Sequence, residues 1–308
     1  MTASKRSFMA RLMIGGFLIG WAVEYVQALE LEPGLYRNAP MGTNALSVGY
    51  AYSGGNILAD DSEVPIENAK AHVQGALLGY ARYFNLFGRT ARVDAATLVA
   101  WSHYEGTVAG QFMTRDPQGL ADPRFRFAVN LAGAPALERS EFKNYQQKAI
   151  WGMSLMLAAP LGQYDSSRLI NLGSNRWSIR PETGVSYAWK EWCAEGAAGT
   201  WVFTTNHDYY GGNELTQQPI GYLKGDLIYS FRKKTWIALN YGWATGGRTS
   251  VNGAEKADLQ TNYRLGGTLT FSLSSRDSLV LNYSNGIVTR TGANFQSLAT
   301  VFSHTWGS

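Results

Sequence analysis

The chain has 308 residues and a formal net charge of +4. That charge is too small to mark a nucleic-acid binder, and 45% hydrophobic against 16% charged residues excludes a disordered chain. The 34 glycines, 10 tryptophans and 13% aromatic content favour a curved sheet with aromatic-lined edges.

Lys5, Arg6 and Arg11 flank the start of an apolar stretch over 12–23, and Val26-Gln27-Ala28 places small residues before a cut after Ala28. This pattern predicts a secretory signal peptide over 1–28. The apolar stretch is shorter than the roughly 20 residues a spanning helix needs, and Glu24 ends it. The rest, 29–308, reads as a single domain with no further apolar run of spanning-helix length. Cys193 stands alone, so it forms no internal disulfide.

After an irregular lead-in over 29–44, the chain alternates with period two rather than with a helical period. Strands are predicted over 45–54, 70–84, 90–102, 124–133, 148–158 and 176–187. More follow over 195–205, 220–231, 235–244 and 259–273, then around Leu279 to Tyr283 and from Leu298 to Trp306. The run over 259–273 is the clearest. Leu259, Tyr263, Leu265, Leu269, Phe271 and Leu273 share one face, and Gln260, Asn262, Arg264, Thr268, Thr270 and Ser272 share the other. Such strands suit lipid on one side and water on the other.

The connections alternate in length. With both termini on the inner side, longer loops fall over 55–69, 103–123, 159–175, 206–219, 245–258 and 286–293. The inner turns over 85–89, 188–194, 232–234 and 274–277 are short, and only 134–147 is long. The fold class expected is all-β: a single transmembrane antiparallel barrel of outer-membrane type with about 12 strands, an even number that closes without a free edge. Aromatic girdles are expected from Phe84, Phe87, Trp189, Trp192, Phe231 and Trp236 at one end, and from Trp101, Tyr104, Trp177 and Trp243 at the other.

A charge facing lipid at mid-membrane costs roughly 2–4 kcal/mol for Arg or Lys. The register therefore places Lys70, Arg82, Arg92, Arg124, Arg126, Arg180, Lys224 and Arg264 in the lumen, opposite Asp94, Glu182 and Asp226. One role for these residues is an ion-pair network that fills the lumen. The other is a basic constriction, giving weak anion selectivity and a hold on aromatic faces.

No Gly-x-Ser-x-Gly elbow, His-Glu-x-x-His pair or phosphate loop occurs, and His72, His103, His207 and His304 are far apart. Neither a catalytic residue, a metal site nor a cofactor is assigned, and the acidic run Asp60-Asp61-Ser62-Glu63 lacks calcium-loop spacing.

Several loop and turn sequences are more specific than the alternation. They are Leu31-Glu32-Pro33-Gly34-Leu35-Tyr36 with Asn38-Ala39-Pro40-Met41-Gly42-Thr43-Asn44, Gly119-Leu120-Ala121-Asp122-Pro123, and Asn130-Leu131-Ala132-Gly133-Ala134-Pro135-Ala136-Leu137. Further on come Ala159-Pro160-Leu161-Gly162-Gln163-Tyr164-Asp165, Asn171-Leu172-Gly173-Ser174-Asn175-Arg176-Trp177, Gly246-Gly247-Arg248-Thr249 and Thr289-Arg290-Thr291-Gly292-Ala293. In these stretches the chain resembles the transporter-like outer-membrane family of the MetA pathway of phenol degradation. One departure is the end, where Gly307-Ser308 follow Trp306 instead of an aromatic terminus.

The resemblance implies an outer-membrane protein that handles aromatic or other hydrophobic compounds. The expected function is a channel for passive uptake of such small molecules. The alternatives are a closed structural or interaction barrel and an outer-membrane lipid or ester hydrolase. Expected partners are outer-membrane lipid, the barrel-assembly machinery and a small-molecule solute, with no nucleic acid. The sequence sets no oligomeric state.

Overall fold

The computed structural model describes residues 31–58, 66–108, 110–231 and 235–307. The expected signal peptide over 1–28 and the acidic run at 60–63 lie outside the described residues.

Two long strands follow the lead-in, β1 (Asn44–Leu58) and β2 (Ile66–Leu86). Next come β3 (Arg89–Val108), β4 (Gln111–Arg115), β5 (Gln118–Leu120) and β6 (Arg124–Ala132). A short helix α1 (Arg139–Phe142) precedes β7 (Ala149–Ala158), β8 (Ser178–Trp189) and β9 (Trp192–Phe203). Then β10 (Asn206–Tyr209), β11 (Asn213–Gln217), β12 (Ile220–Ser230) and β13 (Trp236–Gly246) follow. The chain finishes with β14 (Thr249–Val251), β15 (Ala254–Glu255), β16 (Gln260–Ser272), β17 (Asp277–Thr289) and β18 (Gly292–Trp306).

The sheet order β2-β1-β18-β17-β16-β13-β12-β9-β8-β7-β6-β3, with β3 returning to β2, makes a closed antiparallel barrel of 12 strands. Closure joins the first strand to the last, from Asn44↔Trp306 to Leu58↔Gly292. No barrel strand keeps a free edge, which a membrane wall requires. All the expected strands are present within a few residues of their expected limits.

In most barrel strands one face is buried in the lumen and the other is exposed and largely apolar. In β13, for example, Ile237, Leu239 and Tyr241 are exposed while Ala238 and Asn240 are buried. An apolar exposed belt on a polar-lined barrel is the pattern that lipid selects.

The short turns gather at the end that holds the start of β1 and the end of β18. One two-residue turn joins β2 to β3 through Phe87 (φ 50) and Gly88 (φ 79). Positive φ at both central residues matches the twist of a hairpin, and Asn85 Oδ1 accepts from the Gly88 N–H at 2.7 Å. At the other end the loops carry their own structure. The strands β10, β11, β14 and β15 form a separate four-stranded sheet. The β17–β18 connection is shorter than expected, since β17 ends at Thr289 and β18 begins at Gly292.

The irregular lead-in is not a surface strand lead. From Leu31 to Met41 every residue is buried. The segment 31–43 enters from the short-turn end and fills the barrel. Its base is tied by Met41 N–H to Leu137 O at 2.9 Å and by Asn38 Nδ2 to Pro135 O at 3.1 Å. Both acceptors lie in the long inner connection that carries α1, which accounts for the length of that connection.

Candidate functional site

The lumen has three zones. At the short-turn end, Leu35 and Tyr36 pack with Ala134 and Ile150. Beyond that lies a charged belt. Toward the loop end the lining turns apolar, with Val73, Leu77, Leu98, Trp201, Tyr222 and Phe295 in one cluster. Leu172, from the loop over 159–177, packs against that cluster from above.

The charged belt is built around the lead-in. Arg126 grips Glu32 with two nitrogens, Nη1 to Oε2 at 2.5 Å and Nη2 to Oε1 at 2.6 Å. Arg126 also meets Asp94 Oδ1 at 3.0 Å, and Arg92 Nε donates to Asp94 Oδ2 at 2.6 Å. The pairing follows from register, since Asp94 and Arg126 are direct cross-strand partners between β3 and β6. Across the lumen, Glu195 accepts from the Gly34 N–H at 2.6 Å and from Arg37 Nε at 3.1 Å. Gly34 sits at φ +90, in the left-handed region that favours glycine.

Tyr36 is the plug's aromatic anchor. Its hydroxyl donates to Glu182 Oε1 at 2.9 Å. Its ring lies where β7 and β8 carry glycine: a Cβ on Gly184 would fall 2.2 Å from Tyr36 Cε2, and one on Gly152 would fall 2.3 Å from Cδ1. Glu182 in turn takes Lys224 Nζ at 2.9 Å and the Tyr222 hydroxyl at 2.6 Å.

Other expected lumen residues bind the wall. Arg264 donates from Nε to Ser284 Oγ at 2.9 Å and from Nη2 to Ser297 Oγ at 2.7 Å. Asp226 accepts from Asn240 Nδ2 at 2.6 Å, which continues through Thr268 to Asn282. Arg124 and Arg180 face the Trp201 ring at 5.8 and 5.1 Å, within cation–π reach.

Nine of the expected residues are therefore luminal and buried: Arg92, Asp94, Arg124, Arg126, Arg180, Glu182, Lys224, Asp226 and Arg264. Lys70 and Arg82 are not. Both are exposed, on the outward face of β2, whose inward face holds Val73, Leu77, Ala81 and Tyr83. Val73 and Leu77 point inward because the loop-end lumen is itself apolar, and Tyr83, nearer the short-turn rim, packs inward beside Arg92. Arg82 pairs in register with Asn44, the first residue of β1, so it sits beside the barrel rim, where a long cation can reach water. Trp236 and Tyr104 also leave the expected girdles. Trp236 is buried under Arg37 at 5.8 Å, and Tyr104 packs against the inner apolar cluster. Glu32, Tyr36, Arg37 and Glu195 were not singled out by alternation, because three of them lie in an irregular segment and Glu195 sits in an Ala/Gly-rich strand. With Glu32, Arg37 and Glu195 added and Lys70 and Arg82 removed, these lumen residues are seven basic and five acidic.

The loop end is roofed. Asp122 accepts from Gly162 N at 2.9 Å and from Ser174 N at 2.8 Å, which folds the 159–177 loop onto the mouth. Arg176 hydrogen-bonds Gln217 through Nη2 and stacks 4.6 Å over Phe203. Burial pushes its guanidinium down to about 10. The four histidines stand apart from the lumen. His103 faces Asp116, His207 faces Glu214, His304 faces Asp277 and His72 faces Tyr52.

A family model matches residues 53–303, most of the barrel just described. The chain belongs to the family described as "Putative MetA-pathway of phenol degradation". Among solved structures, this member of the phenol-degradation family is similar to the COG4313 outer membrane channel from Pseudomonas putida F1. The TM-score is 0.75 at 17% identity, covering 90% of this chain and 100% of that one. It is also similar to the β domain of the Bordetella autotransporter BrkA, with a TM-score of 0.51 at 12% identity, covering 86% and 100%. At these identities the likeness shows the fold, an outer-membrane type of barrel. No curated protein sequence matches the chain.

Proposed function

We propose that this protein is a bacterial outer-membrane channel for passive uptake of small aromatic or hydrophobic compounds. The observation that carries the reading is the apolar zone inside the barrel, where Trp201, Tyr222 and Phe295 belong to one buried cluster that Leu172 of the roof packs against. A water-filled porin lumen is polar throughout, so an apolar, aromatic lining favours solutes with little polar surface. Arg124 and Arg180 against Trp201 add polarisable faces for a ring. The family description and the similar Pseudomonas channel support the same class. The charged belt and its plug set a closed resting state, and no residue is assigned a catalytic part.

Uptake of radiolabelled phenol at low concentration, by cells with and without the protein, tests the reading. Faster uptake in expressing cells is the expected result, and equal rates would overturn it. The filled lumen also supports a second reading, a closed structural barrel. Planar-bilayer recordings without a single conductance step, together with equal uptake, would select that reading.

A further inference from the structure

We propose that Arg92 and Arg126 form a lumen site for a small aromatic carboxylate, and that Glu32 fills it as the chain's own stand-in. Glu32 is the only member of this group that does not belong to the barrel wall. Its carboxylate takes both Nη nitrogens of Arg126 at 2.5 and 2.6 Å, and Arg92 Nη2 lies 4.0 Å from Oε1. Two-point binding by a guanidinium is the geometry that recognises a free carboxylate.

The wall residues around it are already built. Arg92 and Arg126 share Asp94, at 2.6 and 3.0 Å. With Glu32 present, two guanidiniums face two carboxylates. Withdrawal of Glu32 takes one carboxylate away from these two guanidiniums, in a place where the side chains of Glu32 and both arginines are 3% exposed or less. A buried charge left without its counter-charge is strongly unfavourable. The lead-in can therefore leave this place readily only when another anion takes the position of Glu32.

Two features point to an aromatic acid. The Tyr83 ring lies 5.9 Å from the Arg92 guanidinium and is buried beside it. Leu31, next to Glu32, is 2% exposed and rests against Gly266, where an added Cβ would meet its Cδ1 at 3.0 Å. Displacing 31–32 thus frees an apolar volume together with a carboxylate position. The site stands on this geometry; the route by which a solute reaches it rests on the channel reading above.

The test is equilibrium dialysis of radiolabelled benzoate against the folded full-length protein in detergent. A tethered carboxylate competes at high effective concentration, so Glu32→Gln should bind benzoate at least roughly tenfold more tightly than the unaltered protein. Formate should compete, neutral phenol should not, and the double variant E32Q/R126Q should lose the binding. Equal binding by E32Q and the unaltered protein would overturn the proposal, as would binding that survives in E32Q/R126Q. If E32Q does not fold, Glu32→Ala is refolded with formate or with chloride at equal ionic strength. Folded, heat-modifiable migration restored by formate alone is expected, and no restoration overturns the proposal. Conductance is recorded on the same samples. Benzoate binding by E32Q without conductance would sink the channel reading alone.

Discussion

The Tyr36 hydroxyl donates to Glu182 Oε1 at 2.9 Å, across 146 residues of sequence. This bond fastens an irregular segment to the middle of a strand that alternation alone identifies as wall. The ring fits because Gly152 and Gly184 leave room for it, one on each of two neighbouring strands. The plug and the wall are matched in shape as well as in charge.

The match predicts the effect of Gly184→Ala. Alanine is better than glycine in a strand, and within the wall the new Cβ comes 3.0 Å from Ala197 Cβ, a crowding that a shift of a few tenths of an ångström relieves. The new Cβ would meet Tyr36 Cε2 at 2.2 Å, and overpacking of this kind costs typically 1–3 kcal/mol. The lead-in is the part that can yield. We expect G184A to keep heat-modifiable migration and to show more frequent open events in planar bilayers. An unchanged open probability would show that the Tyr36 seat does not hold the plug.

Much of this fold is legible in the sequence, for a simple reason. Lipid outside and a polar interior impose period two, so β13 and β16 are plain from Trp236 and Gln260 onward. The same rule misleads at β2, where Val73, Leu77 and Tyr83 are apolar yet inward. Alternation reports that two faces differ, and assigning the apolar one to lipid fails where the lumen is apolar too. The plug is harder still. Glu32, Tyr36 and Arg37 follow no period, and their partners Arg126, Glu182 and Glu195 lie far along the chain. The available signal was an unusual density of Gly, Pro and polar residues just before the first strand, with glycines on inward positions that nothing else explained. The roof sheet of β10, β11, β14 and β15 was hidden because its strands are two to five residues long, too short to alternate visibly.

Asp94 is the hinge of the ion network, because both Arg92 and Arg126 depend on it. Asp94→Asn keeps the shape and removes one carboxylate from between two buried guanidiniums. Removing one partner of a buried pair typically costs about 3–5 kcal/mol. Urea unfolding in lipid vesicles, followed by gel mobility, should show that loss. Substituting the half-exposed Arg248 of the roof, which meets Glu255 at 3.2 Å, by Gln should change stability less than D94N does. Equal effects of the two changes would mean that the lumen network carries no special weight.

The roof carries a pH dependence of its own. Asp165 accepts from the backbone N–H and the hydroxyl of Ser167, and these bonds hold its carboxyl below the usual range. A carboxyl depressed in the folded state contributes above its unfolded pKa, and the contribution is lost as pH falls through the folded value. The 159–177 loop should thus be unaffected near neutrality and loosen only in acid, below the ordinary carboxylate range. Hydrogen exchange over this loop, corrected for the intrinsic rate, should rise at pH about 3 relative to neutral. Asp165→Ala should show the faster exchange already at neutral pH, and an unchanged rate there would remove Asp165 from the account of loop order.

The outward placement of Lys70 and Arg82 can be read directly by thiol labelling. The natural background is quiet, because Cys193 is 4% exposed and shielded beside Ser186 and Ile228. Lys70→Cys and Arg82→Cys place a thiol on the exposed face of β2, while Thr268→Cys places one on a luminal position that is 1% exposed. T268C also loses a methyl and weakens the bonds to Asn240 and Asn282, so heat-modifiable migration is checked before labelling. A water-soluble maleimide applied to the detergent-solubilised protein, read by mass spectrometry, should modify K70C and R82C well before T268C. If R82C were as protected as T268C, β2 would have the opposite register and Arg82 would return to the lumen. Adding G184A to T268C connects this measurement to the plug. An expelled lead-in admits water to the lumen, so the protected thiol should become reactive in the double variant while R82C labelling stays unchanged.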